Sequence, residues 1–378
     1  MRKLILLFCL LMLPGQAAWY QGNNGFPYRL KVTPDHIKIG ATLTDFPVGV
    51  NLTDLGSGHG FWTHVLSTGA DIRATKADGK TEVPIEVASI NTTTKKGEVY
   101  FKANGAVLNA TTNASYYLYY GNADATMYTN GATFGKNNVW ESGFKGVWHM
   151  GQASGTLIDS TASVADLTQH NSPVQGVVTK MGHGAYFDGT NDYFDSSDAD
   201  LNLSNDFTVE TLANGTTFSV VRNVVSFGNN LSTQWRELRV DAPNYAPDEV
   251  LINTGATERE SGSGPVSTNT YYNLSMTLTS ANNGLAYING VASNSAGAMT
   301  ITGPAAFTYI VGMGIDTTSR PWLGIVDEVR LSTGQRATTW MTTVANNLTA
   351  SSTFYVIGIE ESNGVAATTS SAMVGSFF

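Results

Sequence analysis

Asp188, Asn191 and Asp192 set three hard oxygen side chains within five residues, in a Gly-containing turn between two alternating stretches. Calcium takes six to eight oxygen ligands, so this turn offers half a shell, and Asp327, at the end of a predicted strand, is the residue that could close it. On that reading a structural Ca²⁺ supports this part of the chain. The competing reading is that the acids cap the turn by accepting local amide hydrogen bonds, which needs no ion.

Hydrolysis of a glycosidic bond needs two carboxyl groups facing each other across it. No Glu-x-Asp-x-x-Glu run occurs, and Asp327-Glu328 and Glu360-Glu361 are adjacent, so on an extended strand the members of each pair point to opposite faces and cannot cooperate. His36, His59, His64, His149, His170 and His183 lack the spacing of a zinc helix motif. No Gly-x-Ser-x-Gly elbow supports a serine nucleophile. The residue types therefore favour binding over catalysis. An aromatic ring packs on the apolar face of a pyranose while amides and carboxylates take its hydroxyls, which makes Trp235, Tyr245 and Trp322, in loop-rich stretches, the candidate ligand-binding residues. Trp148 and Trp340 read as core.

The elements that must hold these side chains are strands. Tyr272, Leu274, Met276 and Leu278 alternate with polar residues, as do Val83, Ile85 and Val87, and the stretches Tyr116 to Tyr120, Phe207 to Thr211 and Phe354 to Ile359 read similarly. Asp78-Gly79 and Asn289-Gly290 supply tight hairpin turns. One helix is predicted, from Trp340, Val344 and Leu348 spaced four apart.

The chain opens with Arg2 and Lys3, an apolar run from Leu4 to Leu13, and Pro14-Gly15-Gln16-Ala17, the order of a secretory signal over residues 1–17. The run is far shorter than the roughly 20 residues of a bilayer span, so no membrane span is expected after cleavage, and the protein is placed outside the cytoplasm: secreted, periplasmic or on the cell surface. Its one cysteine, Cys9, lies inside the signal, which excludes disulfides from the exported chain. A net charge of −9, made more acidic by loss of Arg2 and Lys3, argues against nucleic acid as partner. Charged residues are only 13%, about half the usual share. About 360 residues follow the signal, room for two domains: a β-rich domain over 18–140 and a second over 141–361, with a flexible tail at 362–378.

From Phe26 to Asn122, the runs Tyr28-Arg29, Thr44-Asp45-Phe46-Pro47-Val48, Gly69-Ala70-Asp71-Ile72-Arg73, Asp78-Gly79 and Leu118-Tyr119-Tyr120-Gly121-Asn122 resemble the domain of unknown function 2341. The second half resembles the laminin G-like, concanavalin A-type superfamily at Lys145-Gly146-Val147-Trp148-His149, Leu157-Ile158-Asp159-Ser160-Thr161, Ala185-Tyr186-Phe187-Asp188-Gly189, Ala286-Tyr287-Ile288-Asn289-Gly290 and Gly324-Ile325-Val326-Asp327-Glu328-Val329-Arg330. It departs at Glu210-Thr211-Leu212, where that family commonly has a small residue, an alanine and a tryptophan. The resemblance implies an all-β chain of two β-sandwich domains, the second a jelly roll of two antiparallel sheets, often used for glycans or proteins and often holding calcium. Trp235-Arg236-Glu237-Leu238-Arg239 also resembles one strand of alginate lyases, though charge alternation on an edge strand accounts for it without catalysis.

The sequence thus reads as a secreted or surface-displayed protein that binds a glycan or a cell-surface protein. Two other readings stay open at this point: a structural part of a cell-surface or virion appendage, and a polysaccharide-degrading hydrolase or lyase.

Overall fold

The computed structural model describes residues 19–364 apart from 22–24, 106–107, 141–142, 204–205, 231–233, 242–249, 254–257, 261–265, 280, 282, 293–296 and 299–306. The expected signal, Tyr245 and the tail beyond 364 lie outside the described residues. The chain is mostly β, and its described residues form four antiparallel sheets in two sandwich-like modules.

In the first module a six-stranded sheet runs Tyr355–Ile357, Tyr28–Pro34, Tyr116–Tyr120, Arg73–Lys76, Glu82–Val83, with Glu361–Ser362 also on Tyr28–Pro34. A three-stranded sheet orders Phe46–Asn51, Lys96–Ala103, Ile85–Asn91. Leu30, Val32 and Leu118 of the larger sheet meet Val48, Val99 and Phe101 of the smaller in one apolar cluster. The Asp78-Gly79 turn forms as expected: Gly79 donates to the Lys76 carbonyl and the Asp78 carboxylate accepts from Lys80 and Thr81. The single strand expected across Val83, Ile85 and Val87 is split between the two sheets at Pro84, which has no N–H to give a ladder.

The second module stacks two larger sheets. The nine-stranded one runs Val174–Val178, His183–Asp188, Leu323–Thr333, Phe207–Gly215, Tyr271–Leu278, Asn283–Ile288, Val291–Ala292, with Phe144–Trp148 also paired to Leu323–Thr333 and Gly297–Ala298 to Asn283–Ile288. The seven-stranded one runs Glu258–Glu260, Val250–Asn253, Trp235–Val240, Arg222–Gly228, Thr308–Val311, Tyr193–Ser196, Thr168–His170. Alternate residues, among them Phe187, Val209 and Met276 from one sheet and Phe194, Val225, Leu238 and Tyr309 from the other, close a dry core around Trp148. Each large apolar side chain buried there contributes about 1.5–3 kcal/mol.

The expected helix forms as Thr338–Thr349 and buries Trp340, Val344 and Leu348. It lies between the modules. Trp340 packs on Phe46 at 4.8 Å and donates to Glu210 at 3.2 Å, while the Asn347 amide exchanges two 2.8 Å hydrogen bonds with the backbone of Gly49. On the other side it presses against the Asn289-Gly290 turn, where a Cβ on Gly290 would come within 2.4 Å of the Thr342 Cα. Beyond the helix, Tyr355–Ile357 pairs with Tyr28–Pro34. The stretch from 338 to 362, grouped on sequence with the second domain, therefore completes the first. Its apolar side chains belong to the same cluster as Phe46 and Val48, which local pattern cannot reveal.

Candidate functional site

The four expected calcium ligands do not assemble. Asp188 faces Leu323 across its ladder, whereas Asp327 lies four residues further along that strand, about 13 Å away at 3.3 Å per residue. The Asp192 carboxylate accepts from the backbone N–H groups of Ser172 and Asp188, and Asp188 accepts from Thr190. The Asn191 carbonyl takes the Asn171 side chain. Turn capping accounts for Asp188 and Asp192, and with Asp327 so far off the set does not fit a calcium shell.

Of the expected ligand-binding aromatics, Trp322 is only 1% exposed and packs on Phe218 inside the sandwich core, so it is out of reach. Trp235 does sit on a surface. Its strand, expected at an edge, is interior to the seven-stranded sheet, and its residues alternate: Leu238 and Val240 point into the core, while Trp235 and Glu237 occupy the opposite face. There Trp235 and Tyr193 flank Ile310, Met313 and Ile315, and His170 stacks on Tyr193 at 4.3 Å while pairing with Asp195 at 2.7 Å. Arg320 lies 5.9 Å from the Trp235 ring and 2.9 Å from Glu237. Burial pushes Glu237 upward, opposed by Arg320 and Arg239.

The ladder register puts Glu237, Ser226, Ile310 and Asp195 in one row across four strands. The two carboxylates are therefore three strand spacings apart, about 14 Å, beyond the roughly 5–9.5 Å that glycoside hydrolysis uses. Glu237 and Asp195 are too far apart to act as a hydrolytic pair.

A second constellation, absent from the sequence reading, lies at the seam between the modules. His149, just past Phe144–Trp148, directs Nδ1 to Glu328 at 2.5 Å and Nε2 to Glu86 at 3.2 Å. Glu86 also accepts from Ser160 at 2.6 Å and from Trp140. Glu328 accepts from Arg330 at 2.5 Å. Tyr100 stacks on the imidazole at 4.7 Å, and Glu98, two residues before it on the same strand, completes the group. The ligand-capable atoms of Glu98, His149 and Glu328 lie within 4.8 Å of one another, and all three residues are buried.

The adjacent acids Asp327 and Glu328 were expected on opposite faces. A β-bulge opposite Thr211 and a positive φ of 51° at Glu328 break the alternation, so Glu328 turns to His149 while Asp327 accepts from Thr179 at 2.5 Å and from the Glu328 N–H at 2.8 Å. The two carboxyls remain electrostatically coupled.

In this arrangement burial, then the charge of Glu328, pushes Glu98 well above the ordinary carboxylate range; burial, then Glu328 and Glu98, does the same to Asp327. Burial opposes ionisation of Glu86 and Glu328 too, but His149 outweighs it, helped by Ser160 and Trp140 for Glu86 and by Arg330 for Glu328, which drops to about 2. Burial alone would discharge His149, yet Glu328 and Glu86 hold it charged. The seam thus sets two acids pushed toward the ionised form, Glu86 and Glu328, beside two that burial pushes the other way, Glu98 and Asp327.

Above it opens a crevice of about 310 Å³, with Glu86, His149 and Ser160 among its lining residues, polar groups from Arg73, Tyr128 and Lys136, and an apolar rim that includes the half-exposed Met127 and Ile158. The local signal for this site was slight: a polar residue, His149, directly after an apolar strand, and acids at alternate positions of otherwise apolar ones.

Residues 68–150 match the model of the domain of unknown function 2341, and residues 188–341 that of the concanavalin A-like lectin/glucanases superfamily, in the expected order. No curated protein matches. Among solved structures, domain 4 of AbnA, an extracellular arabinanase of Geobacillus stearothermophilus, is 18% identical, with 54% of this chain and 98% of that one covered, at a TM-score of 0.43. A Trypanosoma rangeli sialidase is 14% identical over 54% of this chain at a TM-score of 0.44; the match spans only 33% of the sialidase.

Proposed function

We propose that this is an exported glycan-binding protein whose recognition surface is the outer face of the seven-stranded sheet. The observation that carries the reading is the pairing of two half-buried aromatics, Trp235 and Tyr193, with fixed charged groups, Arg320 held by buried Glu237 and the partly exposed His170–Asp195 pair, around the buried Ile310, Met313 and Ile315 on one β face. A ring offers a sugar its apolar platform, and the partly exposed Arg320, His170 and Asp195 offer directed hydrogen bonds at little entropic cost because they are already held. The match of residues 188–341 to a lectin/glucanase family supports the same class of ligand. The separation of Glu237 from Asp195 favours binding over bond cleavage.

A glycan array probed with the full chain tests it. Binding that falls tenfold or more in Trp235→Ala, about 1.4 kcal/mol, is expected; a blank array with folded protein would remove the proposal.

A further inference from the structure

We propose that Glu98, His149 and Glu328 form a metal site for a divalent transition ion, with Zn²⁺ the best fit. The site is independent of the glycan-binding face. Its three donors are anchored in the strands Lys96–Ala103 and Leu323–Thr333 and directly after Phe144–Trp148, so they converge within 4.8 Å from both modules without any mobile segment.

Two orphaned oxygens point to a ligand there. Glu98 is fully buried, its Oε2 has no hydrogen-bond partner, and its other oxygen has only Ser89 at 3.4 Å. The Tyr100 hydroxyl, on the same strand face and also fully buried, has none either. Leaving such groups unsatisfied is costly, and native structures almost always supply a partner.

The backbone tells the same story. Glu328 is held in the left-handed region at φ 51°, which an unbranched acid occupies only at a cost, and that distortion is what swings its carboxylate to His149. Strain retained to aim a side chain is a mark of a working site.

The donor chemistry selects the ion. An ion would take the place of the proton between His149 Nδ1 and Glu328, leaving Nε2 on Glu86, and one imidazole nitrogen and two carboxylates are ligands Zn²⁺ accepts in a small coordination shell. Calcium needs six to eight oxygens, and the neighbouring acids already have partners, Glu86 in Trp140, Ser160 and His149 Nε2, Asp327 in Thr179. Of the three donors, His149 is the one that lines the crevice.

The test is titration of the folded full chain with Zn²⁺, followed by calorimetry and elemental analysis. One Zn²⁺ per chain is expected, with the melting temperature rising by about 5 °C at a hundredfold excess over Kd. Glu98→Gln should weaken uptake at least tenfold, Asp188→Asn should leave it unchanged, and Ca²⁺ should not compete. Failure of the folded chain to take up Zn²⁺, uptake indifferent to Glu98→Gln, or equal binding of Ca²⁺ would each overturn the site. Should Glu98→Gln not fold, Co²⁺ added to the unaltered chain must produce a paramagnetically shifted histidine ring signal; its absence overturns the site equally.

Discussion

The core of the second sandwich and the seam between the modules are equally dry, yet they are built from opposite materials. Around Trp148, nearly everything is aliphatic or aromatic, and cohesion comes from area removed from water. At the seam, Glu86, Glu98, His149, Asp327, Glu328 and Arg330 are all buried, and cohesion comes from a few ion pairs, His149 with Glu86 and Glu328 and Arg330 with Glu328. The apolar core tolerates a change of shape with a graded loss. The seam is all-or-nothing in each partner, since removing one charge strands another where water cannot reach it. Charge is buried where the two modules must be set in a fixed relation, and apolar area where each needs only to stay folded.

The largest effect should come from removing what joins the two regions. Ending the chain after Ala350 deletes buried Phe354 and Tyr355 and the strand paired to Tyr28–Pro34, for a loss of roughly 4–6 kcal/mol in urea unfolding from the two aromatics alone. If the midpoint hardly moves, the first module does not depend on its returning strand. Next, Arg330→Met leaves the Glu328 carboxylate short of a cation at zero exposure and should cost about 3–5 kcal/mol. Leu238→Ala in the sandwich core should cost about 2–5 kcal/mol, and here a small second-site apolar residue should recover part of the loss, which no apolar substitution near Arg330→Met should do. Trp340→Phe keeps the ring on Phe46 but removes the donor to Glu210, for about 1–3 kcal/mol. Smallest, Asp188→Ala on the exposed turn should stay within about 0.5–1 kcal/mol, with or without chelator.

Much of the fold was legible because it is written locally. The alternation through Tyr272 to Leu278, the Asn289-Gly290 turn and the fourfold spacing of Trp340, Val344 and Leu348 each report on neighbours in sequence, and each appears in the structure. The seam was not legible for the converse reason. Its members stand at 86, 98, 149 and 328, and only the ladder registers bring them together. The Asp327-Glu328 pair shows the limit most clearly: period-two reasoning separates them, and a one-residue bulge, invisible in composition, undoes it. Trp322 misled in another way, since a tryptophan in a Gly- and Pro-containing stretch looks exposed until a sheet closes over it.

The returning strand has a consequence for the order of events during synthesis. Tyr28–Pro34 leaves the ribosome more than 300 residues before its neighbour Tyr355–Ile357, so one side of that sheet stays open while the whole second sandwich is made. Closure of so long a span is entropically slow, and the first sheet cannot be completed before the second module has been synthesised.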